Sequence, residues 1–127
     1  MKKAGESWSR DLSLDALLDL DGVVLVVDEK GGHWVKFQVR RVEVSSARPH
    51  GLSYSLTLHG PANERLVGFD NAHGVRQSRG PGKGRTAYDH KHRLRTIGPY
   101  EYRDAAALLS DFWDEVDAVL TERGVLQ

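Results

Sequence analysis

Alternating apolar and polar residues in the first half of the chain constrain its fold more than any other feature. In the run 33–44, Val35, Phe37 and Val39 alternate with polar residues, so we predict a strand with one buried side. Two consecutive glycines separate this run from an earlier β-branched run, which is the pattern of a β-hairpin. With two later runs, the pattern predicts four strands in meander order, at 22–29, 33–44, 52–59 and 65–70.

The last quarter of the chain has a different period, in which apolar residues recur every three or four positions. Asp104 can cap the start of the helix that this period predicts, and Gly124 can end it. A shorter helix is predicted at 13–20. We therefore expect an α+β fold, a curved, mainly antiparallel sheet of about five or six strands with the long C-terminal helix packed on one face. Trp34 and Trp113 are expected in its core.

Length and composition limit how the chain can be organised. At 127 residues we expect a single domain, 1–127, because a second domain would leave neither part enough apolar surface to bury. Residues 1–12 are expected to form a flexible tail. The absence of cysteine excludes disulfides, thiolate metal sites and a cysteine nucleophile. The apolar runs are far shorter than the roughly 20 residues that cross a bilayer, and we expect a soluble cytoplasmic protein.

The charges are unevenly distributed, although the formal net charge is zero. Residues 71–103 contain eight Lys and Arg against two Asp and Glu, which favours a phosphate-bearing partner such as RNA. The glycines of 75–86 predict a flexible basic loop without regular structure. A solvated loop or a segment that contacts a partner protein is the alternative. The expected substrate-binding residues are Asn71, Arg76, Arg79, Lys83, Arg85, Tyr88 and Arg93.

Two histidines stand out within this basic segment. A strand predicted at 87–95 would place His90 and His92 on one face, about 7 Å apart. One histidine could take the proton of a ribose 2′-hydroxyl while another protonates the leaving 5′ oxygen. Alternatively, the pair could be two of three ligands of zinc or manganese, with His73 or Asp70 as the third. A pair of exposed histidines at a strand edge is the alternative without a function.

Four short motifs spread over the chain resemble one protein family. In order and spacing they are similar to the TumE family, toxins of type II toxin–antitoxin modules, over most of the chain. The resemblance implies a toxin that inhibits growth by RNA cleavage and is encoded beside an antitoxin with a helix-turn-helix DNA-binding domain. The motifs are GFDNAHG at 68–74, YDHKHR at 88–93, PYEY at 99–102 and DFWDEV at 111–116.

The residues and the resemblance together favour a metal-independent endoribonuclease toxin that needs no cofactor. Its expected partners are RNA and the cognate antitoxin, with no membrane, and a homodimer is left open. The alternatives are a non-catalytic inhibitor that binds RNA or the ribosome, and a metal-dependent nuclease. The expected catalytic residues are His73, His90, His92, Asp70 and Asp89.

Overall fold

The computed structural model describes residues 12–71, 75–76, 86–87, 89–93 and 96–125. Within these ranges, the helices are α1 (Leu12–Asp19) and α2 (Ala105–Glu122). The strands are β1 (Val24–Val26), β2 (Trp34–Arg41), β3 (Leu52–His59), β4 (Arg65–Asp70), β5 (Val75–Arg76), β6 (Thr86–Ala87), β7 (His90–Arg93) and β8 (Thr96–Pro99).

Six of these strands form one open antiparallel sheet in the order β1-β2-β3-β4-β7-β8. The first four strands are neighbours in sequence and in space, as the predicted meander requires. With α2 against it, the sheet confirms the predicted α+β fold. β7 is shorter than the strand expected at 87–95. β8 was not expected, because four residues that end in proline carry too little alternation to indicate a strand.

The core lies between the sheet and the two helices. Residues of β2 and β3 are buried at every second position, and Phe112 of α2 packs against them. The ring of Phe112 meets those of Phe37 and Phe69 edge to face, with centroids 5.7 and 6.0 Å away. Asp104 caps α2 by accepting a hydrogen bond from an amide in its first turn, and Gly124 follows the last turn with a left-handed φ of 77°. The predicted helix and both of its ends are thus confirmed.

The opposite face of the sheet carries mainly polar side chains, and we call it the open face. Trp34 was expected in the core, but this prediction was wrong, because Trp34 alternates with the buried Val35 and so lies on the open face. It is half-buried, and its ring stacks on His59 with centroids 4.2 Å apart. The open face comprises Trp34, Lys36, Gln38, Arg40, Ser53, Ser55, Thr57, His59, Gly68, Asp70, His90 and His92.

The apolar run 22–29 forms a shorter strand than expected. The strand that pairs with β2 is Val24–Val26, and the side chains of these three residues are exposed at the edge of the sheet. The run turns at Asp28, whose carboxylate accepts hydrogen bonds from the backbone amide of His33 at 3.2 Å and from its Nδ1 at 2.7 Å. These two bonds close the hairpin, so the strand ends before the turn.

Regular structure was not expected between residues 75 and 86, yet β5 and β6 pair with each other there. The expectation was wrong for these strand residues, whereas 77–85 lie outside the described residues. The predicted tail, 1–12, also lies outside them except for Leu12, which begins α1. Neither of the described helices has the length and apolar character needed to cross a bilayer.

Candidate active site on the open face

Three polar side chains converge on the open face. Oδ1 of Asp70 lies 3.0 Å from Nε2 of His90, and Oδ2 of Asp70 lies 3.6 Å from Nε2 of His92. The two imidazole rings meet edge to face, with centroids 4.8 Å apart. We call Asp70, His90 and His92 the Asp–His cluster. It brings together three of the five residues that were expected to be catalytic.

Strand register explains this convergence. β4 and β7 are antiparallel neighbours in which Asp70 pairs with His90, and Gly68 pairs with His92. Because side chains alternate across a strand, the even-numbered residues of both strands face the same side. Gly68 lies beside His92, where a Cβ would be at an ordinary van der Waals distance of 3.5 Å from Cδ2 of the imidazole.

The cluster is largely shielded from solvent. Asp70 and His90 are 8% and 4% exposed, and the side chain of His92 is 14% exposed. Burial lowers the pKa of His92, the neighbouring Arg65 and His90 lower it further, and the charge of Asp70 acts in the opposite direction. His92 is therefore held neutral at pH 7, as a general base must be before it accepts a proton.

Arg65 reaches the cluster because of a β-bulge. In a regular strand Arg65 would face the same side as Val67, which is buried in the core. A register shift next to His59 pairs this histidine with Arg65, and such a bulge re-aims the side chain. The side chain of Arg65 lies over Gly68 on the open face, so that a Cβ on the glycine would be 3.2 Å from Cδ of Arg65.

The contact between Arg65 and His92 fixes the proton position on the imidazole. A terminal nitrogen of Arg65 lies 3.0 Å from Nδ1 of His92. Arginine can only donate, so Nδ1 accepts, and the proton of the neutral imidazole is on Nε2, facing Asp70. The sequence offered no signal for this contact, because alternation alone assigns Arg65 to the other face.

The Asp–His cluster also has the composition of a divalent-metal site. Its three ligand atoms lie within 4.8 Å of one another. Oδ1 of Asp70 has no hydrogen bond within the described part of the chain, although Nε2 of His90 lies 3.0 Å from it. Arg65 acts against metal binding, because a histidine bound through Nε2 carries a proton on Nδ1, and Arg65 donates to that same atom. With Arg65 in this position, the hydrogen bonding of His92 is that of a metal-free site.

The comparison with known families supports the resemblance seen in the four motifs. A family model described as Toxin TumE matches residues 13–120, which is most of the chain. The chain belongs to the TumE family of toxins. No curated protein and no solved structure matches it. The TumE match includes every residue of the Asp–His cluster as well as Arg65.

Two further residues were expected to be catalytic in this TumE-family toxin. Asp89 lies apart from the Asp–His cluster, since its carboxylate accepts a hydrogen bond at 2.8 Å from the hydroxyl of Tyr54, a residue on the core face. Burial and then the charge of Asp89 raise the pKa of Tyr54 far above its ordinary value. His73 lies outside the described residues.

Arg93 was expected to bind substrate, but its side chain lies on the helix-facing side of the sheet. The guanidinium forms ion pairs with Glu115, at 3.5 Å, and with Glu122 of α2. The structure therefore does not bring Arg93 to the Asp–His cluster of this TumE-family chain. Of the other expected phosphate and base ligands, only the backbone of Arg76 is described, and four lie outside the described residues: Arg79, Lys83, Arg85 and Tyr88.

Asn71 was also expected to bind substrate, and its side-chain amide is fully engaged with β3. Oδ1 accepts a hydrogen bond from the amide of Tyr54 at 2.9 Å, and Nδ2 donates one to the carbonyl of Leu52 at 2.8 Å. Asn71 is 3% exposed. Its side chain therefore extends the pairing of β4 with β3 beyond the last strand residue and holds the neighbouring Asp70 in place.

Proposed function

We propose that this TumE-family toxin is a metal-independent endoribonuclease that inhibits growth by cleaving RNA in the cytoplasm. The observation that carries the proposal is the convergence of two histidines on one carboxylate, on the face of the sheet opposite the apolar core. A toxin needs a target, and the basic composition of residues 71–103 favours RNA.

The chemistry needs a base and an acid that titrate near neutral pH. His92 serves as the base that takes the proton of a 2′-hydroxyl, and Asp70 stabilises the imidazolium that forms. The 2′ oxygen then bonds to phosphorus as the bond from phosphorus to the 5′ oxygen breaks, and that oxygen takes a proton from His90 or His73. The products are a 2′,3′-cyclic phosphate and a 5′-hydroxyl end.

Other parts of the proposal depend on the family and on the charge pattern. The cognate antitoxin, with a helix-turn-helix domain, neutralises the toxin as in a type II module. Arg76, Arg79, Lys83 and Arg85 bind RNA phosphates, and Tyr88 stacks on a base. Expression of the toxin alone should arrest growth, and expression of the neighbouring antitoxin gene should relieve the arrest.

Cleavage of end-labelled RNA by purified protein tests the proposal directly. His92→Ala and His90→Ala should each lower the rate about 100-fold or more. His50→Ala, at an exposed histidine in the loop before β3, is the matched control and should leave the rate unchanged. Growth arrest by a folded variant that lacks both cluster histidines would contradict the catalytic proposal and favour inhibition by binding alone.

The same assay distinguishes a metal-dependent nuclease, which one observation favours. Oδ1 of Asp70 has no hydrogen bond within the described residues, as expected for an atom that awaits a cation. Cleavage that survives EDTA supports the metal-independent reaction. Cleavage that is lost in EDTA and restored by manganese or zinc would replace it with the metal-dependent one.

A further inference from the structure

Arg65 is an exposed cation beside a candidate base, and within the described residues no carboxylate forms an ion pair with it. Within the described residues, its guanidinium forms a hydrogen bond to Nδ1 of His92. A neutral imidazole is a weaker partner for a guanidinium than an anion is. An anion that approaches the open face therefore has a cation available to bind it.

The contact has a consequence for His92 itself. Nδ1 cannot take a proton while Arg65 donates to it, and Nε2 already carries the proton that faces Asp70. In this arrangement neither nitrogen of His92 can act as a base. The base becomes available only when the guanidinium moves away.

We propose that Arg65 binds a phosphate of the RNA backbone and, in doing so, leaves Nδ1 of His92 free to accept a proton. The catalytic consequence of this release rests on the proposed ribonuclease function, whereas phosphate binding and the release itself do not. The ligand class is a phosphodiester, which a guanidinium can bind through two parallel N–H donors.

The position of Arg65 allows it to exchange His92 for a phosphate at a small cost in free energy. The side chain is exposed, and it crosses Gly68, which has no side chain of its own. Loss of one hydrogen bond to a neutral acceptor is offset by a charge-assisted bond to phosphate. After the exchange, Nδ1 can take the 2′-hydroxyl proton while Oδ2 of Asp70 remains 3.6 Å from Nε2.

The test uses RNA whose ribose groups are all 2′-O-methylated, because such RNA cannot be cleaved. Fluorescence anisotropy should show that Arg65→Met weakens binding of this RNA by roughly 10-fold or more, as loss of one charged hydrogen bond implies. Arg65→Lys should lose less affinity. The charge-matched control is Arg123→Met, at an exposed arginine outside the basic segment that pairs with Glu64, and it should bind like the wild type.

The ¹⁵N chemical shift of Nδ1 of His92 provides a second readout that does not depend on cleavage. In the wild type, adding the methylated RNA should move this signal towards that of a nitrogen without a hydrogen bond. In Arg65→Met the signal should already be there without RNA. Backbone amide spectra of each variant verify that it is folded.

Wild-type affinity for RNA in folded Arg65→Met would overturn the proposal. An Nδ1 signal that is the same in free wild type and free Arg65→Met would overturn it as well. If both readouts behave as expected but the wild type cleaves no RNA, the ribonuclease proposal fails while phosphate-dependent release of His92 stands.

Discussion

Replacing Asn71 separates a structural role from the substrate-binding role that its sequence position predicted. In Asn71→Ala, the amide of Tyr54 and the carbonyl of Leu52 lose their side-chain partners. Asn71 is 3% exposed, so water cannot readily replace it. Each buried polar group left without a partner costs about 1–3 kcal/mol, which gives a total of roughly 2–6 kcal/mol.

Urea denaturation monitored by circular dichroism measures this loss. With a slope of about 1–3 kcal/mol per molar urea, a loss of 3 kcal/mol lowers the midpoint by roughly 1–3 M. Asn71→Asp keeps an acceptor for the amide of Tyr54 but faces the carbonyl of Leu52 with a carboxylate, so it should also be destabilised. Gln38→Ala, at an exposed position of β2, is the control and should stay within about 0.5 kcal/mol of the wild type. Unchanged stability of Asn71→Ala together with lost RNA binding would refute the structural role and restore the predicted one.

Four further predictions concern pH, the core, the hydrogen bond of Tyr54 and the role of Asp89. Because the pKa of His92 is lowered below 6.5 in the folded state, the unfolded chain binds the proton more readily. The free energy of unfolding should therefore fall as the pH drops below about 6.5. Thermal melts should show a weaker pH dependence for His92→Gln. Phe112→Ala removes a buried ring and should cost about 3–5 kcal/mol in urea denaturation. Tyr54→Phe removes the hydrogen bond to Asp89 and should cost about 1 kcal/mol. RNA cleavage by Asp89→Asn should remain near the wild-type rate, and a 100-fold loss would make Asp89 catalytic after all.

The fold was predictable because apolar residues recur with one period in the strands, every second residue, and with another in the long helix, every third or fourth residue. Apolar residues alternate strictly in β2 and β3, and every second residue of β3 from Leu52 to Leu58 is buried. Apolar positions in α2 follow helical spacing, and its ends carry an aspartate cap and a glycine. Each local signal is strong and agrees with the packing around it. β1 was overestimated because a short edge strand and a buried strand can share the same β-branched run.

The candidate site was only partly predictable. Spacing indicated a shared face for His90 and His92, and the register of β4 with β7 adds Asp70. The same alternation applied one residue earlier would have assigned Asp89 to the opposite face. Composition alone could not show the face on which Asp89 lies, because it counts charges without assigning them to a side of the sheet.

Arg65 could not have been found from the sequence by any of these rules. Its position depends on a β-bulge, and a bulge changes which face a residue occupies without leaving a distinctive residue pattern. Arg93 presents the reverse case, since its charge suggested phosphate binding while two glutamates of α2 neutralise it. Strand register and ion pairs between distant residues therefore decide on which face of the sheet Arg65 and Arg93 lie. Local sequence patterns do not show this.

Strand β7 has four residues, and the side chains on its two faces have different roles. Its odd-numbered residues, Lys91 and Arg93, join the sheet to α2 through Glu115, while its even-numbered histidines form the Asp–His cluster. Inserting or deleting one residue within β7 would exchange the two sides, turning the histidines towards the helix and the cations towards the open face. Natural relatives should therefore have no insertions or deletions within this strand. The ion pairs to α2 form only in the register that turns the two histidines towards the open face.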